Sequence, residues 1–248
     1  MKRLLIIYLS VLVCLGASAA TKTQADSLYS AENYKAAAKA YNDILRTQGI
    51  SSELYYNLGN CYYKMDSIPL AILNYERAYI LSPGDGDIRN NLTFARGKTI
   101  DKVVPPSKMF FVTWWNNFTY LQSVDSWALQ GIILFSVALL LLLVYFLSFN
   151  VQVRKITFGL ALLLFGVTIL DNLAAWSQYS DIKNHAAAIV MAPAVSVKSS
   201  PSHNSTDLFL IHEGSKVELL DQSMKDWIEV KFEEGKQGWI PASSVEKI

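Results

Sequence analysis

Two long apolar runs dominate the hydrophobic pattern of the chain. No charged residue occurs across 126–153, and a second run at 156–176 is interrupted only by Asp171. A helix that crosses the hydrocarbon of a bilayer needs roughly 20 apolar residues. The pattern therefore predicts two transmembrane helices, at 127–149 and 156–178.

The segment between these runs, 150–155, predicts their orientation. It is so short that the two helices must be antiparallel neighbours, and it carries Arg154 and Lys155. Short loops that contain Lys or Arg stay on the cytoplasmic side of a membrane. We therefore expect a cytoplasmic turn, with the segments before and after the hairpin on the other side.

The N-terminal segment fits the same orientation. Lys2 and Arg3 precede an apolar core at 4–15, and small residues follow at 17–20. This is the pattern of a signal peptide that is cleaved on export, which we predict at 1–20. The alternative is a third, uncleaved spanning helix, and the shortness of the apolar core argues against it.

Between the signal and the hairpin, helical positions recur with a fixed period. Ala37 and Tyr41 return as Ala71 and Tyr75, and this spacing of about 34 residues is typical of a helix–turn–helix repeat. The second copy resembles the tetratricopeptide repeat at the positions Tyr55, Leu58, Gly59, Tyr62, Ala71, Tyr75, Ala78 and Pro83. The resemblance implies an all-α tetratricopeptide-repeat domain at 21–100, ended by an amphipathic capping helix at 87–98.

The same resemblance implies a concave groove that binds a partner. The corresponding positions here are aromatic or carry amides: Tyr56, Asn57, Asn60, Tyr63, Asn90, Asn91 and Phe94. Amides can bond to a peptide backbone while rings cover its apolar side chains. We expect an extended or helical segment of another protein there. For each residue the alternative is a solvated helix face or ordinary packing.

An aromatic segment at 101–126 connects the repeats to the hairpin. After Pro105 and Pro106 it is rich in Phe, Trp and Tyr. Trp and Tyr favour the headgroup level of a bilayer, because the ring can be buried while its polar atom stays hydrated. The segment is therefore predicted to lie on the outer leaflet, and the alternative is a surface that docks a partner.

Asp171 is the one ionisable residue within either predicted span. A carboxylate inside a membrane is a candidate for proton or ion passage. Asp171 comes shortly before Trp176, near the outer boundary where water is available. This position favours an ordinary hydrated carboxylate.

The C-terminal residues change to a strand pattern. Short strands are expected at 188–191, 195–198, 208–212, 216–220, 227–232 and 238–241. Five or six short strands within about 60 residues predict a small all-β barrel.

The order of motifs in this region resembles the bacterial SH3-like domain, over 186–248. The motifs are the segments 195–201, 213–219, 226–230 and 238–241. The resemblance implies binding of cell-wall peptides or protein segments on an aromatic surface, for which Trp227, Trp239 and Pro241 are the candidates. A core position remains an equal alternative for Trp239.

Composition and motifs argue against nucleic-acid binding and against catalysis. The formal net charge is +1, and no block of Lys and Arg is present to neutralise phosphates, which excludes nucleic acid as an expected partner. The three histidines are isolated, and no phosphate-binding loop or nucleophile motif occurs. We therefore expect no catalytic residue, no cofactor and no metal, and the protein is not expected to be an enzyme.

The order of these parts resembles the BatE family, the repeat-containing members of the aerotolerance (Bat) gene cluster of Bacteroidetes and related bacteria. The resemblance implies a bacterial inner-membrane protein with periplasmic N- and C-terminal domains. It also implies partners, von Willebrand A-type Bat proteins and a MoxR-type ATPase, and a role in envelope or oxidative-stress tolerance. The expected function is a membrane-anchored adaptor. The alternatives are an envelope sensor whose SH3-like domain binds peptidoglycan peptides, and ion or proton movement through the hairpin.

Overall fold

The computed structural model describes residues 21–102, 109–184, 186–232 and 235–248. The predicted signal peptide at 1–20 and the two prolines of the aromatic segment lie outside the described residues. The N-terminal region is helical, as expected, with α1 (Lys22–Ser30), α2 (Tyr34–Gln48), α3 (Ser52–Lys64), α4 (Ile68–Leu81) and α5 (Gly86–Gly97). Three more helices follow: α6 (Phe110–Thr119), α7 (Val124–Leu147) and α8 (Val151–Asn184).

The first four helices form two helix–turn–helix pairs that repeat structurally. Helices α2 and α4 begin one repeat period apart, at Tyr34 and Ile68. Tyr41 donates a hydrogen bond to Asp26 at 2.5 Å, and Tyr75 donates one to Asn60 at 2.7 Å. The donors and the acceptors of these bonds are separated by the same period, so the repeat found in the sequence is also present in the side-chain contacts.

The turns and the helix crossing depend on particular backbone positions. Glu32 and Asp66, again one period apart, have positive φ angles of 59° and 56° at the turn of each pair. A Cβ atom on Gly59 would lie 2.6 Å from the ring of Tyr75. Glycine at this position therefore allows α3 and α4 to pack closely.

Helices α7 and α8 form a long hairpin and are 24 and 34 residues long. Both are long and apolar enough to cross a membrane, by length and composition. The connection is only 148–150, so Arg154 and Lys155 lie in the first turns of α8 and not in the loop. Helix α8 also continues beyond the predicted end of the span at residue 178.

Helix α6 packs against the end of this hairpin that is away from its loop. The indole Nε1 of Trp115 donates to Ser177 at 3.1 Å, and Phe118 contacts Trp127 with ring centroids 5.1 Å apart. The other face of α6 presents Phe110 and Trp114, which are 85% and 65% exposed. The aromatic segment thus has one face bound to the hairpin and one apolar face that is uncovered by the described residues.

The C-terminal region is a seven-stranded antiparallel sheet in the order β3-β2-β6-β5-β4-β1-β7. The strands are β1 (Ala187–Val190), β2 (Ala194–Lys198), β3 (Asp207–His212), β4 (Lys216–Asp221), β5 (Trp227–Lys231), β6 (Gln237–Pro241) and β7 (Val245–Lys247). The six expected strands are confirmed, and β7 was not expected. Side chains from β1 through β6 share one buried cluster, so the sheet curls around its own core.

The sheet is docked on the helical repeats through a buried charge. Glu76 on α4 is 1% exposed. It accepts a hydrogen bond from Lys216 of β4 at 2.9 Å and another from Arg96 of α5. Around these ion pairs, Ile72 of α4 and Ile189 of β1 belong to the same buried apolar cluster. The two regions therefore share one interior.

A second carboxylate strengthens the same junction. Asp101 accepts hydrogen bonds from the backbone N–H of His212 at 2.7 Å and from the hydroxyl of Ser215 at 2.6 Å. Burial opposes ionisation, but these donors hold the pKa of Asp101 below its ordinary value. The turn between β3 and β4 is thus held against the end of the repeat domain. Gly214 in this turn has a φ of +80°, and a Cβ there would lie 2.7 Å from Thr99.

We predict that the charge on Glu76 makes the stability of the docked domains depend on pH. Burial alone would raise the pKa of Glu76, but the charges of Lys216 and Arg96 hold it below its ordinary value of 4.5. The carboxylate therefore stabilises the folded chain fully above that ordinary value. The stabilisation is lost as the pH falls through the lowered pKa, which thermal unfolding of the detergent-solubilised chain across this range will detect.

The matched variants are Lys216→Met/Arg96→Met, with and without Glu76→Met. The double variant leaves a buried carboxylate without cations and should lose about 3 to 5 kcal/mol, whereas the triple variant should recover most of that loss. Its stability should also fall less steeply with acid than that of the wild type, and the dependence that remains includes the contribution of Asp101. The exposed pair Lys35→Met/Lys39→Met is the control and should change stability by less than about 0.5 kcal/mol. Equal stability of the double variant and the wild type would show that Glu76 is not held by these cations.

Candidate binding surfaces

The predicted groove residues are brought together in a cavity of about 310 Å³ on the helical repeats. Helices α1, α3, α4 and α5 all contribute to its walls. Five of the seven predicted residues line it: Tyr56, Asn60, Tyr63, Asn91 and Phe94. Asn57 and Asn90 lie on the same helices but do not line the cavity. Their role as groove residues stays a prediction that this geometry does not support.

Hydrogen bonds among the amides hold the floor of this groove. The Oδ1 of Asn60 accepts from the hydroxyl of Tyr75 at 2.7 Å and from the Nδ2 of Asn91 at 2.9 Å. The same Nδ2 donates to the hydroxyl of Tyr56 at 3.0 Å. Burial raises the pKa of Tyr75 well above its ordinary value, so its phenol remains a donor. Within the described residues, the Nδ2 of Asn60 and the Oδ1 of Asn91 are left to contact a ligand.

The rim of the groove is apolar and basic. Phe94 is 66% exposed, Lys64 lines the cavity, and the Nζ of Lys98 lies 4.4 Å from the ring centroid of Tyr63. The wall also includes Tyr29.

The sequence analysis missed Lys64, Tyr75 and Tyr29 as lining residues. The repeat period offered a signal for Tyr29, because it stands one period before Tyr63. Tyr75 had been identified only as a packing position of the repeat, and its hydroxyl reaches the groove floor through Asn60.

The three candidates in the C-terminal domain share one face of the sheet. Trp227 of β5 pairs with Pro241 of β6, and Glu229 pairs with Trp239 further along the same two strands. Since alternate side chains on a strand point the same way, Trp227, Trp239 and Pro241 lie on the face opposite the core residues Ile228 and Ile240.

The two tryptophans differ in exposure. Trp227 is only 9% exposed and is covered by the ring of His203, whose centroid is 5.0 Å away. Trp239 is half-buried and pairs with Lys198 of β2 as well as with Glu229. Trp239 is therefore the more accessible of the two tryptophans on this face, and Trp227 lies on the same face under the ring of His203.

Comparisons with known proteins bear on the C-terminal region. Residues 193–246 match the family model of the bacterial SH3 domain. This range includes all three candidate residues of the sheet face. No curated protein matches the chain. The C-terminal sheet is therefore an SH3-like domain of the bacterial class, a kind of module that suggests protein or peptidoglycan binding.

Metal-binding side chains are not gathered in the parts of the chain that the structure describes. Within them no group of three or more His, Cys, Asp or Glu side chains could hold a metal ion. Cys61 is buried among apolar side chains of the first repeat, and burial raises the pKa of its thiol to about 12. The thiolate form needed for metal binding or nucleophilic attack is thus disfavoured.

We predict that alanine substitution separates the roles of the two tryptophans. Trp227→Ala should lower the free energy of unfolding by about 3 to 5 kcal/mol, because it removes a buried ring. Trp239→Ala should cost only about 1 kcal/mol, but it should remove binding of any peptide that uses this face. Thermal unfolding and binding of wall fragments by the two variants will test this. A large loss of stability in Trp239→Ala would place that ring in the core.

Proposed function

We propose that the protein is a membrane-anchored adaptor whose helical repeats, of the tetratricopeptide type, hold a segment of a partner protein. The observation that carries the proposal is the groove, in which exposed Phe94 and the amide side chains of Asn60 and Asn91 line a space of about 310 Å³. Rings and amides in a groove suit an apolar segment with an accessible backbone. Lys64 at the rim favours a segment that also carries acidic residues, whereas the charge of Lys98 is already paired with Asp66.

The hairpin supplies the anchor in this proposal. Its outward faces are apolar along both helices, as expected for contact with lipid. We place the chain in a bacterial inner membrane with the repeats and the SH3-like domain in the periplasm. The basic residues Arg154 and Lys155, in the first turns of α8 beside the hairpin loop, support a cytoplasmic loop. The docking of the SH3-like domain on the repeats requires both to be on one side.

The resemblance to the BatE family suggests the partners. We propose von Willebrand A-type membrane proteins and a MoxR-type ATPase of the same cluster, acting in envelope or oxidative-stress tolerance. The protein itself carries out no catalysis in this proposal. Its function is to keep a partner close to the membrane.

A second candidate function is envelope sensing through the SH3-like domain. The match of 193–246 to the bacterial SH3 domain and the accessible ring of Trp239 favour it. In this alternative the sheet face binds a peptidoglycan peptide and the repeats are mainly a scaffold.

The orientation of the hairpin gives a direct prediction. Alkaline phosphatase, which is active only after export, should be active when fused after Ile248, and green fluorescent protein fused there should be dark. Fusions placed within 148–150 should give the reverse result. A fluorescent C-terminal fusion would contradict the periplasmic placement of the SH3-like domain.

The adaptor proposal predicts that partner capture depends on the groove. Crosslinked pull-downs from membranes should recover specific envelope proteins with the wild type. Tyr56→Ala/Phe94→Ala should reduce the recovery about tenfold or more, because anchor aromatics at such surfaces each contribute about 1 to 2 kcal/mol or more. Thermal unfolding checks that the variant is folded.

The matched control is Ile50→Ala, since Ile50 is 66% exposed, like Phe94, but lies in the turn after α2. This variant should recover the same proteins as the wild type. Recovery that is unchanged in the groove variant and lost in Trp239→Ala would contradict the adaptor proposal and support envelope sensing.

A further inference from the structure

A polar cavity of about 200 Å³ lies where α6 packs against the outer end of α8. Asn116 and Tyr120 form its wall on the α6 side, while Trp176, Gln178 and Asp181 form its wall on α8. This cavity is separate from the repeat groove and from the tryptophan face of the SH3-like domain.

Gln178 is the unusual residue of this site. Its side chain is 1% exposed, and both amide atoms, Oε1 and Nε2, are buried without a hydrogen-bond partner among the described residues. A buried amide that makes no hydrogen bond is unfavourable, because the water it lost on folding has not been replaced by another partner. A ligand that both donates and accepts would satisfy the two atoms together.

The charges around the cavity define the ligand further. Asp181 contributes a carboxylate, which accepts from the hydroxyl of Tyr120 at 2.5 Å, and no Lys or Arg is among the described residues that line the site. An anion is therefore disfavoured and a cation is favoured. The ring of Trp176, 68% exposed, offers a face to the same cation.

The position of the cavity indicates where such a cation comes from. Exposed aromatic side chains flank the site on both helices: Phe110 and Trp114 on α6, and Trp176 and Tyr179 on α8. Three of these four are Trp or Tyr, the residue types that favour the headgroup level of a bilayer. The apolar surface of the hairpin begins next to them. A ligand held here would have its polar part in the cavity and its apolar part along the helices.

We infer that this cavity binds the headgroup of a lipid that carries a primary ammonium and a phosphate, such as phosphatidylethanolamine. The ammonium donates to the Oε1 of Gln178 and interacts with Asp181, and a phosphate oxygen accepts from the Nε2 of Gln178. A quaternary ammonium has no N–H to donate, and an anionic headgroup is repelled by Asp181. The inference rests on the membrane placement proposed above.

Native mass spectrometry of the full chain tests this. The chain is released from nanodiscs that contain equal amounts of phosphatidylethanolamine, phosphatidylglycerol and phosphatidylcholine. Phosphatidylethanolamine should remain bound about tenfold more often than either competitor. Gln178→Leu, which removes both amide atoms at similar size, should abolish this preference. Gln152→Leu, at the exposed start of the same helix, should keep it.

Asp181→Asn provides a second variant that keeps an acceptor for Tyr120 and removes the charge. It should weaken discrimination against phosphatidylglycerol while the chain stays folded. Retention of the three lipids in equal amounts by the wild type, or an unchanged preference in Gln178→Leu, would overturn the headgroup site. Displacement of the lipid by soluble phosphoethanolamine at equal concentration would show that the ligand is a free amine and overturn the lipid assignment.

The membrane placement is judged separately, by whether the chain enters the nanodiscs. A chain that stays in the aqueous fraction would refute the placement and the lipid assignment together. A chain that enters but shows no headgroup preference would refute the lipid site alone.

Discussion

The buried carboxylate of Glu76 is the constraint that determines how the parts of this protein are arranged. A charge that is 1% exposed is strongly unfavourable unless cations replace the water around it. One of its cations, Arg96, comes from α5, and the other, Lys216, comes from a strand far along the chain. The carboxylate can therefore stay ionised and buried only while the SH3-like domain is docked. Gly214 in the turn between β3 and β4 fits this docked arrangement, because a side chain at that position would collide with Thr99 at the end of the repeats.

The same two helices also carry the groove. Tyr75, which lines it, is next to Glu76 on α4, and Phe94 at its rim closely precedes Arg96 on α5. A change in the spacing of α4 and α5 must therefore alter both the groove and the docking contact. Binding of a segment in the groove and docking of the SH3-like domain can therefore affect one another directly through α4 and α5.

Elements with a strong local pattern could be predicted from the sequence, and contacts between distant residues could not. The helical periodicity and the alternation of apolar residues in the strands are local signals. The helical region and six of the strands were predicted from them, and the structure contains both. Strand β7 is only three residues long and exists through its pairing with β1. Helix α8 runs past its apolar stretch, and there Asp181 accepts a hydrogen bond from Tyr120, the residue after α6. Glu76 looks like a surface charge in the sequence, since nothing local indicates that Lys216 will cover it.

The groove shows the same division. The family pattern identified the helices that form it, but two neighbouring positions on a helix point about 100° apart. Asn90 therefore does not line the cavity, while its neighbour Asn91 is central to the hydrogen bonds of the floor. The sequence suggested that the amides bond to a bound peptide, but in the structure most of their hydrogen bonds hold the tyrosines of the groove wall in place.

The groove and the face of Trp239 belong to two domains in a fixed docked arrangement. A partner that touches both therefore gains effective concentration without ordering a linker. That argument favours an adaptor over a chain of independent modules.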